Sequence, residues 1–215
     1  MDYIITFLAI LFGWALGLIQ MKLTDKRRHQ SACKAFVNLL KNELYEIQVQ
    51  MTGVVILSMF DTGDVKNKNM MKYAEIFNAY KGYENSKFAN FSGITRKIDS
   101  KSIEIIAEER KGKHISCGLK SYTTPFLRSH LHQVSCLSTM HQQGVFKFLL
   151  YIDQYNQEVE RYWVDMDMSF NPSIVECNRK LLVGNIQTHL KTVGNIGQQI
   201  IDLTIPLIQE LENEC

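Results

Sequence analysis

The sequence predicts an all-α protein: a single amino-terminal transmembrane helix, a helical bundle, and a long helix at the carboxy end. Three observations predict it. Tyr3 to Met21 is a run of nineteen residues with no formal charge, which at about 1.5 Å per helical residue nearly crosses a ~30 Å hydrocarbon core. Beyond it, apolar residues recur at spacings of three and four, the period of a helix with one buried face. Only three prolines, Pro125, Pro172 and Pro206, force breaks in 215 residues.

The first predicted element is the anchor, residues 1–22. Asp2 is the one charged side chain before the apolar run, and Lys22, Lys26, Arg27 and Arg28 follow it. A cleaved leader has the opposite order, so the segment reads as a retained anchor. The basic flank then places the amino terminus outside and residues 23–215 in the cytoplasm, as a single-pass protein of the inner or plasma membrane. Thr6, Ala9, Gly13, Gly17 and Gln20, spaced 3, 4, 4 and 3, form a small, weakly polar face. Such faces let helix backbones approach closely, so these five are the expected oligomerisation or pore-lining residues.

Charge is concentrated beside that run. Residues 22–34 carry Lys22, Lys26, Arg27, Arg28 and Lys34 against Asp25, and residues 35–215 are close to neutral. Lys22, Lys26, Arg27 and Arg28 suit anionic headgroups, at about 1 kcal/mol each near a membrane surface. The main domain shows no basic face, which argues against direct DNA binding. Cys33, Cys117, Cys136, Cys177 and Cys215 lack any close pairing and read as reduced thiols rather than a zinc or disulfide framework.

The next helix starts near Thr24, continuous with the anchor or nearly so. Its stripe is Cys33, Phe36, Val37, Leu40, Leu44, Ile47, Met51 and Val54, and Met51–Phe60 reads as a buried helical end. Asp61-Thr62-Gly63-Asp64 stops it. A short amphipathic helix is expected over 70–81, an irregular loop over 82–98, a helix from Asp99 or Ser100 to about Lys111, and a competing short strand at 114–122. Pro125 fits the first turn of a helix carrying Phe126, Leu127, His130, Leu131, Val134 and Leu137, interrupted near Gly144. The stripe resumes at Val145, Phe148, Leu149, Ile152, Tyr155, Val159 and Tyr162. After Asn171-Pro172, Ser173 is the expected cap of the last helix. That helix carries Leu182, Ile186, His189, Val193, Ile196, Ile200, Leu203 and Leu207 in alternating steps of four and three, with a kink expected near Asp202 from Pro206. Gly184, Gly194 and Gly197 allow a neighbouring backbone to come close.

Few residues suggest catalysis. On one continuous helix Arg128 and His132 would be i, i+4 neighbours, an arginine to stabilise charge and a histidine to move a proton. Helical RNases of the HEPN class carry an arginine, four intervening residues and a histidine. Here the fifth residue after Arg128 is Gln133, and after Arg28, Arg110 and Arg179 it is Cys33, Ile115 and Gly184. No HExxH, phosphate-binding glycine loop or GxSxG is present, so no metal and no cofactor are expected. Asp153, Glu158, Glu160, Asp165 and Asp167, interleaved with Tyr155, Tyr162 and Trp163, form an acidic stretch that reads as a solvated helix face with buried aromatics, the alternative being a face for a cationic partner.

The expected function is therefore assembly in the bilayer: a homo-oligomer joined through the Thr6/Ala9/Gly13/Gly17/Gln20 face and the bundle, forming a pore or disrupting the membrane. Its alternatives are a membrane-tethered adaptor for a cytosolic protein or a nucleotide ligand, and a divergent helical RNase working through Arg128 and His132. An amino-terminal anchor followed by a small helical domain resembles the layout of membrane-anchored helical effectors of bacterial antiviral defence. That resemblance implies a sensor domain that triggers membrane permeabilisation.

Overall fold

The computed structural model describes residues 2–63, Lys72, Tyr73, Glu75, Ile76, Ile105 and 119–213; for residues 2–11, Gly13, Ala15 and Asn213 it describes the backbone alone. Four α-helices and one 3₁₀ helix are described from end to end: α1 (Asp2–Thr62), α2 (Pro125–Ser129), the 3₁₀ helix (Leu131–Cys136), α3 (Thr139–Ser169) and α4 (Glu176–Asn213).

The first helix runs unbroken for 61 residues, roughly 90 Å at the standard rise. Its second half is built to be buried. Phe36, Val37, Leu40, Leu44, Ile47 and Met51 follow the predicted stripe, and burial then widens to Thr52, Val54, Val55 and Ile56. The Met51–Phe60 segment is thus part of the core. Gly63 ends the helix with φ 72°, a left-handed conformation that a residue without Cβ adopts at no steric cost.

Long α1, α3 and α4 form a three-helix bundle in which α4 lies antiparallel to the other two. On the α1 side, Ser58 faces Leu190 and Gly194, while Tyr45 faces Glu212. On the α3 side, Glu158 meets His189 while Gly144 packs on Leu207. Because α4 is wedged between two neighbours, its buried surface is wider than the predicted stripe of alternating four- and three-residue steps. Ile186, Val193, Ile200 and Leu207 are buried as expected. Ile196 and Leu203 are only half-buried, and Leu190, Ile201, Ile208 and Leu211 join the core. The helix continues through Pro206 to Asn213.

The transmembrane expectation is corrected. Among the described residues no helix is long and apolar enough to cross a membrane. The apolar run ends at Met21. α1 also does not stop there; it carries Lys22, Lys26, Arg27 and Arg28 onward into the bundle helix. The single-pass placement in the inner or plasma membrane, the outward amino terminus and the membrane pore are withdrawn with it.

The helix expected from Pro125 is also different. It stops at Ser129, passes into the 3₁₀ helix, and α3 starts afresh after Ser138, whose hydroxyl accepts the His141 N–H at 3.3 Å. Gly144 lies inside α3, where its missing side chain admits Leu207. At the other junction Asn171, not Ser173, makes the turn: its Oδ1 accepts the Ser173 N–H at 2.9 Å, and α4 begins at Glu176. Lys72, Tyr73, Glu75 and Ile76 are helical, within the expected 70–81 element. The loop over 82–98 and most of the helix to Lys111 lie outside the described residues. Of the competing strand, residues 119–122 have no regular secondary structure.

Candidate assembly surface

Helix α1 leaves the bundle at Cys33, and from Phe12 to Ala32 every described side chain is exposed. This half is an arm whose apolar residues no described residue covers. Phe12 is 72% exposed, Trp14 67% and Met21 65%, and Leu16, Leu18, Ile19 and Leu23 are also open. Successive residues turn by about 100°, so these seven fall into two groups on opposite faces, Phe12, Leu16, Ile19 and Leu23 on one and Trp14, Leu18 and Met21 on the other, with Gly17 and Gln20 between them. An ordinary surface helix packs its apolar face on its own domain; open apolar faces mark a surface that another chain can cover.

Of the predicted oligomerisation residues, Gly17 and Gln20 are on this exposed arm. A Cβ added at Gly17 would meet nothing within 4 Å, so that surface is open to an incoming backbone. The Gln20 carbonyl accepts the Thr24 hydroxyl at 2.8 Å. The side chains of Thr6, Ala9 and Gly13 lie outside the described residues. Lys22, Lys26, Arg27 and Arg28 are all exposed; Lys22 lies between Met21 and Leu23, and the other three follow about one turn further on.

The Arg128–His132 pair does not form the predicted helix face. α2 ends between the two residues, and the Arg128 guanidinium instead pairs with Asp153 on α3. His130 stacks on Phe126, with ring centroids 4.5 Å apart, and its Nδ1 lies 2.8 Å from the Phe126 carbonyl. The arginine is thus occupied in joining α2 to α3, and the RNase geometry is absent from these residues.

The histidines that do meet carboxylates are others. His189 sits between two: Nδ1 is 2.6 Å from Glu158 and Nε2 is 3.3 Å from Asp165, with all three side chains largely buried. Arg161 adds a 3.2 Å contact to Glu158. His141 touches Glu210 at 3.2 Å through Nε2 and the Ser138 hydroxyl at 2.9 Å through Nδ1. Both arrangements fasten α3 to α4, one near each end of the pair. The two carboxylates on His189 lie at opposite ring nitrogens, so these groups cannot close around one ion, and no set of three or more metal-binding side chains exists among the described residues.

Two features were hidden from sequence reasoning. Glu43 is a charge off the apolar stripe of α1, yet its carboxylate accepts the backbone N–H of Phe126 at 3.0 Å and of Leu127 at 2.9 Å. It caps α2 from another helix, and burial raises its pKa above the usual value despite those hydrogen bonds. The second is the division of the acidic stretch. Glu158 and Asp165 turn inward to His189, whereas Asp153, Glu160 and Asp167 line an outer groove of about 620 Å³ with Asn156, Gln157 and Trp163. The segment beside it is pinned to α3: Asn156 exchanges hydrogen bonds of 2.8 Å with both the N–H and C=O of Tyr122, and the Trp163 indole donates to the Leu119 carbonyl at 3.0 Å.

No family model matches the chain, and no curated protein or solved structure matches it either. Its function has to be read from the arm, the groove and the histidine contacts themselves.

Proposed function

We propose that the protein works by self-assembly, with copies joined through the amino-terminal arm and the bundle held away from the junction. The exposure of seven large apolar side chains on two opposite faces of the arm carries this reading. Packing seven large apolar residues against equivalent residues of other copies removes them from water at about 25 cal/mol per Å². Gly17 supports close approach, as small residues do wherever helices pack backbone to backbone. Lys22, Lys26, Arg27 and Arg28 follow at the base of the apolar stretch, where like charges on neighbouring copies limit how far the junction extends toward the bundle.

Light scattering of the purified chain tests this. The expected result is an oligomer that dissociates on dilution and is lost when Trp14→Glu and Ile19→Glu are combined. A monomer at all concentrations overturns it. So does a chain that stays monomeric in buffer and floats only with added phospholipid vesicles.

A second reading, recruitment of another protein, is favoured by the outer groove of α3. Glu160 and Asp167 beside an indole, with Asp153 already paired to Arg128, suit a lysine- or arginine-bearing segment and repel the phosphates of a nucleotide. Reversing two of those charges, Glu160→Lys with Asp167→Lys, tests it: loss of binding to a lysine-rich peptide, with the helical content kept, is the expected result. Binding that survives the reversal removes the groove as the docking site. The resemblance to antiviral effectors drew on an anchor as well as a helical domain, so no effector activity is taken from it.

A further inference from the structure

We infer that Cys33 and Cys136 form a redox-responsive pair that can tie the root of the arm to the bundle. The two are 103 positions apart, yet the Cys33 thiol donates to the Cys136 carbonyl at 3.6 Å. Neither is in a disulfide, and both are half-buried, in contrast to exposed Cys177. Their places in the fold give the contact a consequence. Cys33 is where α1 passes from exposed arm to buried helix, and Cys136 ends the 3₁₀ helix, packed against the core. The Cys33 sulfur lies against the Cys136 main chain, and closing a disulfide requires turning both side chains so that their Cβ atoms come within about 3.5–4.5 Å.

The chemistry is thiol–disulfide exchange with a small-molecule disulfide such as oxidised glutathione. One thiolate attacks a glutathione sulfur, forming a mixed disulfide and releasing one reduced glutathione. The second thiolate attacks the protein sulfur of that mixed disulfide, closing the Cys33–Cys136 bond and releasing the second glutathione. Two cysteine thiols are oxidised, one glutathione disulfide is reduced, and the two thiol protons end on the two released glutathiones. The reverse exchange reopens the pair. Half-burial of both sulfurs favours the second step over adduct accumulation, because the neighbouring thiol is closer than any in solution.

The full chain, equilibrated with glutathione mixtures of increasing oxidation, alkylated and mapped by mass spectrometry without reduction, tests this. The expected product is a single peptide linking Cys33 to Cys136, lighter by two hydrogens and restored to two alkylated thiols on reduction, while Cys177 carries only a glutathione adduct. Cys136→Ser is expected to convert the link into a glutathione adduct on Cys33, and Cys33→Ser the converse. Independent alkylation of both residues at the most oxidising ratio overturns the inference. Glutathione adducts on both without a link, or a Cys33–Cys33 link between chains, overturns it equally. The intrachain link and its loss in the serine variants do not depend on whether the arm self-assembles.

Discussion

At Gly194 a methyl group would sit 2.7 Å from Ser58 Cβ and 2.3 Å from its Oγ, inside the contact distance of any real pair of atoms. The serine cannot simply turn away, because its hydroxyl donates to the Leu190 carbonyl at 2.8 Å in a buried setting. Gly194→Ala is therefore expected to cost about 1–3 kcal/mol by forced repacking of α1 against α4, read as a lower urea midpoint with an unchanged slope. Gly184 is the internal contrast, since a Cβ there meets nothing within 4 Å; Gly184→Ala is expected to gain up to about 1 kcal/mol from helix propensity. The sequence placed glycines at both positions, and only the packing tells them apart.

Two buried polar groups make opposite predictions. The Tyr155 hydroxyl is fully buried without a hydrogen-bond partner among the described residues, and burial pushes its pKa well above the ordinary tyrosine value. Tyr155→Phe removes an unsatisfied group and is expected to be neutral or stabilising by about 1 kcal/mol. The sign of the pH effect follows. A phenol whose folded pKa is raised contributes stability that is complete below the unfolded value, near 10, and is lost as pH rises above it. Wild type should lose stability above about pH 10 through Tyr155 and through Tyr73, whose pKa burial lifts to about 12. Tyr155→Phe should flatten that decline, which denaturant titrations on either side of the unfolded tyrosine pKa will show. His189→Ala acts the other way. It leaves Glu158 and Asp165 largely buried without their shared partner, at an expected cost of about 3 kcal/mol.

At the scale of elements, periodicity located the long helices but not their neighbours. The stripe from Cys33 to Val54 is visible because one apolar face repeats over about six turns of α1. The stripe of α4 was visible too, but its width was not, since a sequence cannot show which second neighbour covers the flank bearing Ile201, Ile208 and Leu211. The break after Ser129 was missed for a related reason. Leu131, Val134 and Leu137 keep a three-residue spacing that a 3₁₀ helix satisfies as well as an α-helix does. Glu43 and the inward half of the acidic stretch were illegible because their partners, the α2 backbone and His189, are distant in sequence.

The two halves of α1 should behave differently. Residues 36–60 are held by the core, whereas the arm around Lys22, Lys26, Arg27 and Arg28 has every described side chain exposed. In dilute solution trypsin is expected to cut first within that basic cluster, and assembly of the arms at high concentration should slow the cut. Cleavage that begins in the bundle helices, at either concentration, would contradict the division of α1 into arm and core.

The whole molecule is a three-helix bundle with an apolar rod extending from one end. The bundle closes its own core: α4 fills the space between α1 and α3, two histidine–carboxylate contacts fasten its length, and Glu43 caps the short helix that leads into α3. Among the described residues the arm has no such closure, and this asymmetry is the basis of the central claim, the proposed self-assembly. Sedimentation equilibrium of the full 24.9 kDa chain across a wide dilution range is its most direct test. The predicted result is a mass of several chains that falls toward 24.9 kDa on dilution, and a single-chain mass throughout for the Trp14→Glu, Ile19→Glu double variant. A wild-type protein that sediments as one chain at every concentration would contradict it.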